Sequence, residues 1–126
     1  MAKIILAEDD SMTIEIYKKK FKEAGFEVVI ATTGKEALNR AAKENADVML
    51  LDLVLPELGG LEVLKEIKKS GKYNPGLKVI IFSNLDSDEE KSSALKYEVD
   101  GFIPKTKHTP SELVEEVKKI IGNINH

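Results

Sequence analysis

Short apolar runs alternate along the chain with longer segments in which apolar and polar positions follow a helical spacing. The runs are rich in Val, Ile and Leu, which is typical of strands buried on both faces of a sheet. Because an amphipathic segment follows each run, the pattern predicts five strands alternating with five helices. Crossovers between parallel strands are right-handed, so we expect an α/β fold with one parallel sheet and helices on both faces. The apolar runs lie at residues 4–7, 26–31, 48–52, 78–82 and 101–104.

The first predicted helix runs from about Ser11 to Ala24, and Gly25 is placed to end it. Ile16, Tyr17 and Phe21 fall on one side of this helix at helical spacing, whereas glutamates and lysines occupy the other side. We therefore expect these three apolar residues to lie in the core.

Three later helices begin with a capping signal, a hydroxyl residue that precedes a glutamate by three residues as in a capping box: Thr33, Ser87 and Thr109. The helix after Ser87 is predicted to continue to about Glu98 and has few large apolar residues, chiefly Ala94 and Leu95. We expect this fourth helix to pack lightly and to move easily.

Composition narrows the possible functions. A length of 126 residues suits a single domain with a core, and we expect one domain over residues 1–126. The net charge of −3 argues against direct binding to nucleic acid, and the absence of cysteine excludes a disulfide framework or a thiolate nucleophile. No apolar run approaches the roughly 18 residues of a membrane span, so we expect a cytoplasmic protein without membrane contact.

Polar and ionisable residues follow four of the five predicted strands. Glu8 and Asp9 follow the first strand, Asp52 lies at the end of the third, Ser83 follows the fourth, and Lys105 follows the fifth. The carboxyl ends of parallel strands meet at one edge of the sheet, where open α/β folds place their reactive groups. We expect these side chains to form one site.

Their chemistry favours phosphoryl transfer. Neighbouring carboxylates repel one another unless a cation joins them, and oxygen ligands suit Mg²⁺ or Mn²⁺. A carboxylate is itself a nucleophile toward phosphorus, and phosphoryl transfer needs mainly positioning and charge neutralisation. We therefore expect Asp52 to be phosphorylated, with Lys105 and the Ser83 hydroxyl holding the phosphoryl oxygens.

The whole chain resembles the receiver domain of response regulators in two-component signalling, the CheY-like family. The resemblance implies a flavodoxin-like strand order of 2-1-3-4-5. It also implies that Asp52 accepts a phosphoryl group from a histidine kinase or a histidine phosphotransfer protein. The matching segments are Ile5–Asp10, Leu50–Gly60, Val79–Ser83 and Asp100–Lys105.

The resemblance also implies individual roles. Asp9 would bind the metal directly, Glu8 through water, and the Val54 backbone carbonyl would be a further ligand beside Asp52. Phe102 takes the place of the switch aromatic, which turns inward when the hydroxyl residue moves toward the phosphate. Phosphorylation would then change the surface of helix four, strand five and helix five, through which either a downstream target protein or a second phosphotransfer protein of a relay would bind. Candidate contact residues on that surface are Lys96, Tyr97 and Glu116.

Four positions depart from the family's pattern or bear on its kinetics. Asn84 stands where a small residue usually follows the hydroxyl, and would either narrow access to the phosphate or add a hydrogen bond. Thr106 replaces a proline, and a cis peptide before it would cost about 2.5–4 kcal/mol, so either that cost is retained or the loop differs. Val54 and Leu85 are apolar at positions that modulate access of the hydrolytic water, which predicts slow self-dephosphorylation.

Three other functions compete with this interpretation. A flavin-binding protein of the flavodoxin type would need a phosphate loop where Glu8, Asp9 and Asp10 would repel a phosphate. An aspartate-nucleophile phosphatase usually has a second acid where Val54 stands. A pseudo-receiver, an interaction module independent of phosphorylation, is the remaining alternative. We expect no enzymatic activity beyond the chain's own phosphorylation and dephosphorylation.

Overall fold

A computed structural model describes residues 2–84 and 88–122, with the side chains of residues 88–90 left aside. The described residues form five strands and five helices in strict alternation, and the strands make one parallel sheet in the order β2-β1-β3-β4-β5. The predicted class and strand order are confirmed. The elements are β1 Lys3–Ala7, α1 Ser11–Glu23, β2 Glu27–Ala31, α2 Gly34–Lys43, β3 Val48–Leu51, α3 Gly60–Ser70, β4 Lys78–Ser83, α4 Asp88–Leu95, β5 Gly101–Pro104 and α5 Pro110–Gly122.

The sheet separates two hydrophobic layers. Successive side chains of a strand point to opposite faces, so each strand contributes to both layers. One layer packs against α2, α3 and α4, and the other packs against α1 and α5. The central strand β3 is buried along its whole length, which agrees with its continuous apolar run.

Helix starts follow the predicted capping chemistry where the structure describes them. The Thr33 hydroxyl accepts a hydrogen bond from the Glu36 backbone N–H at 3.0 Å, which satisfies one of the free donors at the start of α2. At α5, Thr109 and Glu112 exchange two such bonds, a complete capping box. Ser87, the predicted cap of α4, lies outside the described residues.

Two expectations about helices were wrong. Ile16 is 43% exposed, whereas Tyr17 and Phe21 are buried. Consecutive helical residues point about 100° apart, so Ile16 lies beyond the flank of α1 that the sheet and α5 cover. Helix α4 ends at Leu95 and not near Glu98, which adopts a left-handed conformation with φ 57°.

No helix in the described ranges is long and apolar enough to span a membrane.

Candidate functional site

The site lies where the central strands end. Sheet register pairs Ala7 with Leu51, so the next residues, Glu8 and Asp52, leave the sheet side by side. On the other flank, Ser83 pairs with Pro104, and Lys105 follows directly. Glu8, Asp52 and Ser83 are all buried. The predicted residues therefore lie together at one edge.

The Lys105 ammonium lies between the two buried carboxylates. Its Nζ donates to Asp52 Oδ2 at 2.8 Å and also to Glu8 Oε1. The Lys105 side chain is only 16% exposed, so the contact is largely shielded from water. Burial acts to lower the pKa of Lys105, but the hydrogen bonds with Asp52 and Glu8 outweigh it, and the pKa lies above its ordinary value. Lys105 is therefore a fixed positive charge beside Asp52.

Backbone donors hold the remaining carboxylate oxygens. Glu8 Oε2 accepts from the N–H groups of Asp9 and Asp10, each at 3.0 Å. Asp52 Oδ1 accepts from the Val54 N–H at 3.0 Å. Buried carboxylates need such partners, because an uncompensated charge in the interior is costly. Both carboxylates are consequently fixed in direction by groups on either side.

Three acidic side chains could hold a divalent cation. Glu8, Asp9 and Asp52 each place one carboxylate oxygen within 4.8 Å of the others. A set of hard oxygen donors fits Mg²⁺ or Mn²⁺. Asp9 is exposed and accessible, whereas Glu8 already has hydrogen bonds on both oxygens. Direct ligation by Asp9 and an indirect contribution from Glu8 suit this arrangement.

Asp10 has a different role from its acidic neighbours. Its Oδ2 accepts from the Thr13 N–H at 2.9 Å, which caps α1. The bonds with Thr13 hold the pKa of Asp10 below its usual value. Asp10 is therefore the N-cap of α1, where a negative charge is also favourable.

The loop after Asp52 leaves no space for a side chain at Gly60. A Cβ at this position would lie 2.2 Å from the Asp52 carbonyl oxygen, and the Gly60 N–H donates to the Leu53 carbonyl at 2.9 Å. The start of α3 therefore packs directly on the backbone of Asp52. This contact fixes the backbone at the end of β3 and, with it, the position from which the Asp52 side chain extends.

One aromatic ring lies against the Lys105 ammonium, and a second ring packs on the first. Its Nζ is 5.5 Å from the centroid of the Phe82 ring, and the Tyr17 ring meets Phe82 edge-on at 5.2 Å. Both rings are buried. Burial raises the pKa of Tyr17; the positive charge of Lys105 acts in the opposite direction and Glu8 adds to the rise. Sequence reasoning assigned Tyr17 to the core and missed Phe82, although an aromatic directly before the strand-end hydroxyl was a visible signal.

The comparisons with known proteins agree with this geometry. Residues 4–118 match the sequence profile of the response regulator receiver domain. This chain belongs to that family. The receiver resembles a crystal structure of a CheY-like receiver domain from Methanospirillum hungatei JF-1, with a TM-score of 0.88 and 28% identity, covering 99% of this chain and 97% of that one. It also resembles a LuxR-family DNA-binding response regulator from Staphylococcus aureus, with a TM-score of 0.87 and 30% identity over 96% of this chain and 99% of that one.

Longer regulators are similar to the receiver over part of their length. The transcriptional regulatory protein PhoP for alkaline phosphatase synthesis in Bacillus subtilis is 28% identical over 94% of this chain and 48% of its own length. The response regulator MprA of Mycolicibacterium vanbaalenii is 29% identical over 82% of this chain and 43% of its own length. The receiver thus spans about half the length of these relatives, and the expectation of one domain over residues 1–126 stays a prediction.

The positions that depart from the family's pattern can now be located. Asn84 is exposed, and the Lys105–Thr106 peptide is trans like the other described peptide bonds, so the loop accommodates Thr106 without a cis bond. Val54 is 60% exposed beside Asp52, and Leu85 lies outside the described residues. Phe102 is half-buried with the Lys91 Nζ 5.4 Å from its ring centroid. The switching role of Phe102 stays a prediction.

Proposed function

We propose that this receiver accepts a phosphoryl group on Asp52 and passes the signal on through protein contacts. The observation that supports this function best is the buried Asp52 carboxylate at the sheet edge, with the Lys105 ammonium 2.8 Å away and the oxygens of Glu8 and Asp9 nearby. A nucleophile toward phosphorus, a positive charge for the phosphoryl oxygens and a set of metal-binding oxygens are thereby in one place.

The proposed donor is a phosphohistidine on a histidine kinase or a histidine phosphotransfer protein. An Asp52 oxygen forms a bond to phosphorus while the phosphorus–nitrogen bond breaks, and the bonding electron pair returns to the imidazole. Lys105 stays protonated, since its pKa is raised, and donates to an oxygen of the transferred group. Ser83, at the end of β4, would donate its hydroxyl to another of these oxygens.

Glu8, Asp9 and Asp52, with the Val54 carbonyl, would hold Mg²⁺ or Mn²⁺, which when bound would supply further positive charge to neutralise the phosphoryl oxygens. The carboxylates of Glu8 and Asp52 would set the position of the cation, because backbone donors fix both of them.

The proposed output is a change in the surface of α4, β5 and α5. Ser83 belongs to β4, which pairs with β5, and Phe102 lies on β5, so a movement of Ser83 has a short path to that surface. A phosphoryl group can shift an equilibrium between two surfaces only through such differential contacts. The downstream target is a protein, and the chain acts on no substrate other than itself.

The test is intact mass after incubation with acetyl phosphate, with and without Mg²⁺. We expect one phosphoryl group on the wild type in Mg²⁺, none on Asp52→Asn, and normal gain on Asp10→Asn, a matched control because asparagine also caps helices well. Absence of any gain on a folded wild type would contradict the proposal and favour the pseudo-receiver. A gain that persists in Asp52→Asn would show that the acceptor is another residue.

A further inference from the structure

We propose that Phe82 is a positioning residue for Lys105, and that Tyr17 supports Phe82 in this role. The proposal rests on the proposed phosphorylation of Asp52 and names a part of the site that the acidic and hydroxyl residues do not include. It starts from one juxtaposition: the Lys105 Nζ lies 5.5 Å from the centre of the Phe82 ring while it donates to Glu8 and Asp52.

The face of an aromatic ring attracts an ammonium group, and the attraction grows when water is excluded. Phe82 is 2% exposed, so its contact with Lys105 is desolvated on the ring side. The ring also offers no strong hydrogen-bond acceptor. It therefore holds the charge in place without taking one of the three N–H donors that the ammonium can direct at oxygen.

This property matters for phosphoryl transfer. Lys105 now bonds to the carboxylate that would react, and it has to donate to a phosphoryl oxygen when Asp52 becomes esterified. Among the contacts that the structure gives the Lys105 ammonium, the Phe82 ring is the one that neither reacts nor is proposed to hold the metal. This contact keeps the ammonium within reach while its partner at Asp52 changes.

Tyr17 fixes the orientation of the Phe82 ring. The two rings meet at an interplanar angle of 81° with centroids 5.2 Å apart, the edge-to-face geometry that aromatic pairs favour. Tyr17 is itself buried in α1, and Phe82 belongs to the same hydrophobic layer. Rotation of the Phe82 ring away from Lys105 would break this contact, so the pair acts as a two-ring support.

The experiment compares Phe82→Leu with Phe21→Leu. Phe21 is buried in the same layer and has an edge-to-face partner, Phe26, at 5.1 Å. In the part of the chain that the structure describes, the aromatic ring that contacts the Lys105 ammonium is that of Phe82 and not that of Phe21. Both variants therefore lose the same kind of ring contact, and we expect similar drops in melting temperature. Only Phe82→Leu loses the ring beneath the ammonium.

The first readout is the NMR signal of the Lys105 ε-methylene protons, assigned by its absence in Lys105→Arg. The ring current of Phe82 shifts this signal upfield, as the rings of Phe102 and Tyr97 do for Lys91 and Lys69, so the assigned Lys105 signal is compared between variants. We expect its upfield shift to vanish in Phe82→Leu and to persist in Phe21→Leu. The second readout is the rate of phosphorylation by acetyl phosphate. We expect a loss of about fivefold to tenfold in Phe82→Leu, a smaller loss in Tyr17→Leu, and less than about twofold in Phe21→Leu.

A Lys105 signal that is unchanged in Phe82→Leu, or equal rate losses in Phe82→Leu and Phe21→Leu, would overturn the proposal. Failure of the folded wild type to gain phosphate would overturn the proposed function. In that case the Lys105 signal alone decides whether Phe82 positions the ammonium.

Discussion

The two sides of the sheet edge differ in how deeply their residues are buried. On the side of β1 and β3, Asp52 follows a strand buried along its whole length, and the start of α3 packs on its backbone. On the side of β5 and α4, three of the four strand residues are only half-buried, and Leu95 is 50% exposed. A rigid scaffold thus holds the proposed acceptor, whereas the α4 and β5 part of the proposed output surface has fewer buried side chains to keep it in one arrangement.

The largest expected effect contrasts one leucine from each side. Leu64 of α3 is fully buried and Leu95 of α4 is half exposed. We expect Leu64→Ala to lower the free energy of unfolding by about 2–5 kcal/mol, and Leu95→Ala by less than about 1 kcal/mol. Urea unfolding of both variants measures the difference. Equal losses would contradict the division into a well-packed side at α3 and a weakly packed side at α4.

The next largest expected effect comes from removal of the Lys105 charge. Lys105→Met would leave Glu8 and Asp52 without their shared cation, and we expect a loss of about 3 kcal/mol in the free energy of unfolding near neutral pH. Mg²⁺ should restore part of it, so the melting temperature of Lys105→Met should rise more with Mg²⁺ than that of the wild type. An equal or smaller rise would argue against a cation site among these carboxylates.

The same pair of proteins gives a pH test. The pKa of Lys105 is raised above the value of about 10.4 that a lysine has in an unfolded chain. A raised pKa stabilises the fold fully below the unfolded value and loses that contribution as pH rises through the folded value. The stability difference between wild type and Lys105→Met should therefore be constant from about pH 6 to 9 and shrink above about pH 10.4. A difference that already shrinks near pH 8 would contradict the raised pKa.

Gly60 tests the packing of α3 on the acceptor. A Cβ there would lie 2.2 Å from the Asp52 carbonyl oxygen, so we expect Gly60→Ala to cost about 1–3 kcal/mol in unfolding free energy and to slow phosphorylation by acetyl phosphate. Gly76→Ala is the matched control, because the atoms nearest its added Cβ begin at 3.4 Å and belong to the Asn74 side chain. Equal behaviour of the two variants would show that Gly60 does not fix Asp52.

The smallest expected effect concerns the time for which the phosphoryl group stays on Asp52. Val54 presents an exposed apolar side chain beside Asp52, where a polar group would help to orient a water molecule. We expect the phosphorylated wild type to persist for many minutes in Mg²⁺, and Val54→Asn to shorten that lifetime. Mass spectra taken over time after removal of acetyl phosphate measure it. Loss from the wild type within seconds would contradict the expectation.

The sequence predicted the strand order through the resemblance, and it predicted the meeting of Glu8, Asp52 and Lys105 through a simple rule. Parallel strands end at the same edge, so residues just after apolar runs converge there. What the sequence could not supply depends on neighbours distant along the chain. Ile16 shares the periodicity of the buried residues of α1, but only the position of α5 decides how wide the covered stripe is. The contact of Phe82 with Lys105 likewise depends on how a long side chain folds back over β4.

The central claim is that Asp52 is the group that reacts, and chemical trapping tests it most directly. Borohydride reduces an aspartyl phosphate to homoserine, and fragmentation of the digested chain by mass spectrometry locates the reduced residue. We predict homoserine at position 52, only after incubation with acetyl phosphate and Mg²⁺. Homoserine at Asp9 or at any other acidic residue instead, or none in a chain that has gained phosphate, would contradict the account.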